Sequence, residues 1–269
     1  DTTAVIARRE KMAEDKIAAA ERAAIDDLRA RAANTAAAAA GKLIAVKHDA
    51  AADKTLVDQA MSEGAVGLSS GLEYEVGSYS DIEEVIEMAR AAGAKGGFYI
   101  SHIRDEADLT MDAVREALAI GERAKIPVQI THIKLGTVGV WGKANEVVAL
   151  VEAARKRGVD VTADAYPYLA WQSTPRVLVP NKRYDDPASV TRGLDDIGGA
   201  KNVQITRWKA YPQYIGKRLD EMARAEGISD VEAYVRFAKD DDAGMIGHAM
   251  IEADLRTFYQ QPWVMVASD

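Results

Sequence analysis

The chain contains no cysteine. Disulfides, thiolate metal sites and cysteine nucleophiles are therefore excluded from it. Histidine is scarce, with four in 269 residues, so imidazole chemistry can come from few positions. No apolar run approaches the roughly 20 residues a membrane helix needs, and no leader-type segment opens the chain. The expectation is a cytoplasmic protein with no membrane partner. No basic stripe or arm is present. Acidic residues outnumber basic ones, 42 to 34, and the sequence pI is about 5.2, which argues against a nucleic-acid partner. The chain opens on Asp1 without Met and stops at Asp269 just after an apolar run. It is expected to be a piece of a longer protein.

Nearly half of the residues are hydrophobic (48%), enough for one large α/β domain. The first forty or so residues differ from the rest. They are rich in Ala with interleaved Arg, Lys, Glu and Asp, residues of high helix propensity. Ile17, Ile25 and Leu28 form only a thin apolar stripe, which reads as a solvated helix or hairpin. We therefore expect an Ala-rich helical segment over 1–52 and a barrel-like domain over 53–269.

From Asp53 onward the chain has a regular rhythm. A short strand over 43–46, followed by His48, precedes a helix over 53–62. Residues 65–70 read as a strand. Ser80-Asp81-Ile82-Glu83 has the pattern of a capping box opening a helix to about Ala92. Two β-branched and aromatic runs then end on histidines, Gly97–His102 and Pro127–His132. They lie about thirty residues apart, the length of one βα unit. The helix between them carries Ala113, Val114, Ala117, Leu118 and Ile120 on one face. A helix over 145–157 and a strand over 159–164 follow. Residues 170–186 read as a long loop, 202–206 as a strand, and 217–226, 231–239 and 252–260 as helices. A final strand spans 263–269. Strands alternating with helices indicate an α/β fold, and the spacing fits a (βα) barrel. The absence of a Gly-rich phosphate loop after any early strand argues against a doubly wound sheet.

In such a barrel the active site lies at the C-terminal ends of the strands. His102, His132, Asp164 and Asp269 all fall there. Imidazole and carboxylate are ligands suited to a catalytic zinc, and a carboxylate beside its water could shuttle a proton. Each also has a plainer role open to it: a hydrogen-bonded strand-end histidine, or an aspartate capping its own turn. Arg104 and Lys134, each two residues past a histidine, could bind an anion or face solvent. His48 and His248 read as structural or exposed.

Five runs occur together in order: Gly64–Tyr74, Tyr99–Glu106, Gln129–Lys134, Asp164–Tyr168 and Pro262–Asp269. They resemble the N-acyl-D-amino-acid deacylases (D-aminoacylases) of the amidohydrolase superfamily. The resemblance covers residues 55–269. It implies a (βα)8 TIM-like barrel, incomplete in this chain, that hydrolyses the amide of N-acyl-D-amino acids. It further implies Zn2+ held by His102 and His132, Asp269 as the catalytic carboxylate, and Lys134 and Tyr166 on the substrate carboxylate. The family's His-x-His pair, bridging cysteine and downstream arginine have no counterpart here. Two alternatives are a cyclic amidohydrolase of dihydroorotase or hydantoinase type, and a non-catalytic barrel fragment without a complete metal site.

Overall fold

The computed structural model describes residues 50–74, 77–179 and 181–269. The chain divides into two units, Asp1–Asp53 and Lys54–Asp269. The Ala-rich helical segment, the strand over 43–46 and His48 lie outside the described residues.

The second unit begins within helix α1 (Ala50–Ser62) and continues β1 (Gly67–Gly71), α2 (Ile82–Ala94), β2 (Phe98–His102), α3 (Thr110–Ala124), β3 (Val128–Ile130), α4 (Ala144–Lys156) and β4 (Val161–Ala165). An insertion carries β5 (Trp171–Ser173), α5 (Pro187–Asp196), β6 (Val203–Arg207), α6 (Leu219–Glu226), α7 (Asp230–Ala238) and β7 (Gly244–Gly247). The chain then returns through α8 (Glu252–Tyr259) to β8 (Val264–Val266). Strands β1, β2, β3, β4 and β8 form one parallel sheet in that order. This is an α/β fold, the arc of an incomplete (βα) barrel.

Side chains alternate across each strand, and the burial follows that period. Tyr99 and Ser101, Val128 and Ile130, and Val161, Ala163 and Ala165 are buried, and the apolar ones share a core with helix residues such as Val114, Val151 and Phe258. Each large aliphatic side chain so buried contributes roughly 1.5–3 kcal/mol. The intervening residues, including His102, Gln129, Thr162 and Asp164, are only partly buried and alternate to the opposite face. Helix α3 lies close to β3 because residue 121 is glycine: a Cβ there would come within 2.3 Å of Val128 Cγ2. Helix α2 is capped by Asp81, which accepts from the Glu84 amide at 2.9 Å. The cap is thus one residue later than the Ser80 pattern predicts.

The insertion corrects the expectation of a long loop over 170–186. Trp171–Ser173 is a strand and Pro175–Leu178 a 3-10 turn. The strand predicted at 202–206 forms, but it pairs antiparallel with β7 in a separate sheet of order β5-β7-β6. This sheet has its own core of Ile205, Trp208, Tyr234, Phe237 and Met245.

Candidate active site

The sheet register brings the histidine strands together. Gly71 pairs with His102, and Ser101 with Ile130, so the chain leaving β3 carries His132 alongside His102. His132 has φ 39°, a left-handed conformation that costs a non-glycine residue on the order of 1–3 kcal/mol. Asp164, near the end of β4, holds it there. Its Oδ1 accepts from the His132 amide at 2.7 Å, its carbonyl accepts from the Ile133 amide at 2.7 Å, and its Oδ2 accepts from Gln129 Nε2 at 2.6 Å. Asp164 therefore orients His132 rather than capping its own turn.

The side chains form a continuous chain of contacts. Lys134 Nζ lies 2.8 Å from His132 Nδ1, His132 Nε2 lies 2.9 Å from His102 Nδ1, and His102 Nε2 lies 2.6 Å from Glu73 Oε2. A neutral imidazole has one donor and one acceptor nitrogen. Donation can thus run from Lys134 through both rings to ionised Glu73. It can also run backward from protonated Glu73 to Glu106, whose Oε1 lies 3.0 Å from His132 Nδ1. Glu106 also accepts from Lys134 Nζ through both oxygens, at 2.7 Å each.

The two glutamates are pushed apart electrostatically. Burial opposes ionisation of both. For Glu73 burial outweighs the His102 hydrogen bond and raises the pKa. For Glu106 the charge of Lys134, the hydrogen bond with His132 and the charges of the imidazoles overcome burial and lower it to about 2. Tyr74, whose ring centroid is 4.6 Å from that of His102, is raised to about 12 by burial and by Glu73, Glu106 and Asp269. Burial and the charges of Glu106 and Asp269 raise Tyr166 as well.

These groups line one cleft of about 530 Å³ that is open to solvent, walled on the far side by Trp171, Ser173 and Leu178 of the insertion. All five site residues singled out from the sequence, His102, His132, Lys134, Tyr166 and Asp269, line it. Tyr166 is 3% exposed and its hydroxyl has no hydrogen-bond partner. Lys134 is 4% exposed and sits 5.5 Å from the Tyr166 ring centroid. Arg104 is not part of the group. It is partly exposed, but its guanidinium is held by Glu116 through two 2.8 Å bonds and by the carbonyls of Ser78 and Ser80, so it is already paired with an anion of the chain itself. His248 bonds Gln204 at 2.9 Å within the insertion.

Glu73 and Glu106 are the carboxylates of the cleft that sequence reasoning did not single out, although they lie in the runs Gly64–Tyr74 and Tyr99–Glu106, the second ending on Glu106. For Glu106 the signal was an acid four residues beyond a strand-end histidine. His102, His132 and Glu106 each offer a ligand atom, all within 4.8 Å of one another. Two imidazoles and a carboxylate at that spacing fit a divalent ion such as zinc.

No family model matches the chain. Among curated proteins, N-acyl-D-glutamate deacylase of Alcaligenes xylosoxydans xylosoxydans is 35% identical over 223 residues, 83% of this chain and 41% of that enzyme. A crystal structure of N-acyl-D-glutamate deacylase from Bordetella bronchiseptica, complexed with zinc and a phosphonate inhibitor, superposes with a TM-score of 0.70 at 29% identity, covering 82% of this chain and 43% of that one. Over these residues the chain's relatives are D-aminoacylases, a group of amidohydrolases. It spans about two-fifths of the length of these relatives. A shorter likeness joins 53 residues, 20% of the chain, to 28% of the ATP synthase subunit b of Erythrobacter litoralis at 64% identity. Within the D-aminoacylase-like part, His102 ends β2, Glu106 follows it, and His132 follows β3.

Proposed function

We propose that the protein carrying this chain hydrolyses the amide bond of N-acyl-D-amino acids with the aid of a divalent metal, zinc in this reading, as a cytoplasmic enzyme. The observation that carries the proposal is the convergence of His102, His132 and Glu106 with Lys134 and the unpartnered Tyr166 hydroxyl in one cleft. Relatives over the same residues are deacylases of this substrate class. Nothing comparable favours a cyclic amide substrate or a non-catalytic role.

His102, His132 and Glu106 would hold the metal, which supplies polarisation of the acyl carbonyl and a lowered pKa for water. The Asp269 carboxylate accepts a proton from the attacking water and delivers it to the nitrogen as the carbon–nitrogen bond breaks. A carboxylic acid and a free D-amino acid leave. Tyr166 donates its unused hydroxyl proton to the substrate carboxylate, and Lys134 supplies the neighbouring positive charge. Two protons of the Lys134 ammonium go to Glu106. The third is available to substrate when His132 Nδ1, 2.8 Å away, carries a proton of its own.

The test is turnover of N-acetyl-D-amino acids by the full-length protein with zinc, with the L-enantiomers as control. His132→Ala is expected to lose both activity and stoichiometric metal. Unchanged turnover in that variant would remove the metal role from His132.

A further inference from the structure

Beyond the residues assigned above, the cleft contains a second hydroxyl without a partner. Thr137 is 4% exposed, lines the cleft, and its Oγ1 makes no hydrogen bond. A buried hydroxyl left unpaired costs roughly 1–3 kcal/mol, so its position calls for a ligand. The backbone around it is pinned. The Gly136 amide donates to the Glu106 carbonyl at 3.0 Å, and the Gly136 carbonyl accepts from Trp171 Nε1 at 3.0 Å. The Val138 amide donates to the Asp196 carbonyl at 2.9 Å. A Cβ at position 136 would come within 2.9 Å of the Glu106 carbonyl oxygen, so glycine permits this close approach. The hydroxyl is thereby held in place by the loop that carries Glu106, by the insertion and by α5.

We propose that Thr137 is a substrate-binding residue whose Oγ1–H donates to the α-carboxylate of the N-acyl-D-amino acid, the group already assigned to Tyr166. The inference rests on the function proposed above. Its chemical basis is a deficit of donors. Lys134 Nζ donates to both oxygens of Glu106 and lies 2.8 Å from His132 Nδ1, so it has at most one proton for a carboxylate that presents about four acceptor sites. Among the described residues, Thr137 and Tyr166 are the two lining the cleft whose buried hydroxyls have no partner.

The experiment compares full-length wild type, Thr137→Val and Thr137→Ser on an N-acetyl-D-amino acid and on its carboxamide, with melting temperature measured alongside. A hydrogen bond to a charged group is worth roughly tenfold to a hundredfold in binding. Thr137→Val is expected to raise KM by about that factor with kcat little changed, and Thr137→Ser to stay near wild type. The penalty is expected to shrink on the carboxamide, whose neutral oxygen accepts a weaker bond. Valine replaces an unpaired hydroxyl, so the melting temperature is expected to hold or rise. An unchanged KM in Thr137→Val overturns the proposal. So does an equal loss in Thr137→Ser, an undiminished penalty on the carboxamide, or a lower melting temperature in Thr137→Val, which would make the hydroxyl structural. Wild type inactive on every N-acyl-D-amino acid would instead overturn the function itself, and this assignment with it.

Discussion

Glu106→Gln isolates the electrostatic centre of the site. The substitution keeps the shape of the side chain but removes the counter-charge from Lys134, which is 4% exposed. Breaking a buried ion pair from one side typically costs about 3–5 kcal/mol. A second route gives a similar figure. Glu106 is lowered from 4.5 to about 2, and at about 1.4 kcal/mol per pKa unit this corresponds to roughly 3 kcal/mol of stability at neutral pH. For a domain of about 150–250 residues each kcal/mol moves the melting temperature by roughly 2–4 °C. Glu106→Gln should therefore melt at least about 6 °C below wild type at pH 7, both measured metal-free to exclude a contribution from bound ion. The sign of the pH dependence follows from the lowered pKa. The contribution of Glu106 is complete above about 4.5 and is lost as the pH falls toward 2. Glu73, with its raised pKa, acts in the opposite sense, but it is present in both proteins and largely cancels in the difference. The gap between the two melting curves should thus narrow steadily between pH 5 and pH 2.5. Melting temperatures that coincide at pH 7, or a gap as wide at pH 3 as at pH 7, would refute the reasoning.

Two further perturbations separate residues that orient the site from residues that only support the fold. Asp164→Ala removes the acceptors of the His132 amide and of Gln129 and leaves the left-handed His132 only the neighbouring Ile133 amide's bond to the residue 164 carbonyl. Zinc affinity, read by competition with a chelating dye, should weaken about 10- to 100-fold; affinity equal to wild type would show that His132 holds its conformation unaided. Arg104→Met should lower stability by about 1–3 kcal/mol through the loss of its charged hydrogen bonds to Glu116, with KM for the D-substrate unchanged. A raised KM would return Arg104 to the anion-binding role that the structure withdraws from it.

The parts of the fold that are legible in the sequence are those governed by local rules. The βα units could be read because period-2 strands and one-faced helices alternate between glycine stops, and α4 forms within a residue of its predicted ends. Where the rules depend on distant partners, the reading fails. Helix α5 begins with the favourable pair Asp186 and Pro187, but its Ser, Gly and Asp content resembles a loop, and Val190 and Leu194 gain burial only from the insertion core. Strand β7 is Gly244-Met245-Ile246-Gly247, too short and glycine-rich to read as a strand without β5 and β6 on its two sides. The site divides in the same way. The histidines were visible because each ends a strand. Glu106 was not, because its significance comes from Lys134, 28 residues away. Arg104 could not be placed without Glu116 on α3.

The charges of the cleft explain why a cation belongs in it. Among the described residues its lining carries three carboxyl groups, Glu73, Glu106 and Asp269, against one ammonium, that of Lys134. With all of them ionised, the lining is about two charges negative, before an anionic substrate approaches. Burial and Glu106 already raise the pKa of Glu73, so the site relieves part of this excess by favouring a proton. A divalent ion among His102, His132 and Glu106 would relieve it more fully, because two positive charges offset the excess and imidazole nitrogens coordinate without adding negative charge. Lys134 by itself supplies one charge, and that charge is already neutralised by Glu106 through two 2.7 Å contacts. A substrate carboxylate entering the cation-free cleft would therefore meet net repulsion. The physical expectation is linkage: the cation and the anionic substrate each favour binding of the other, by the same factor in either order.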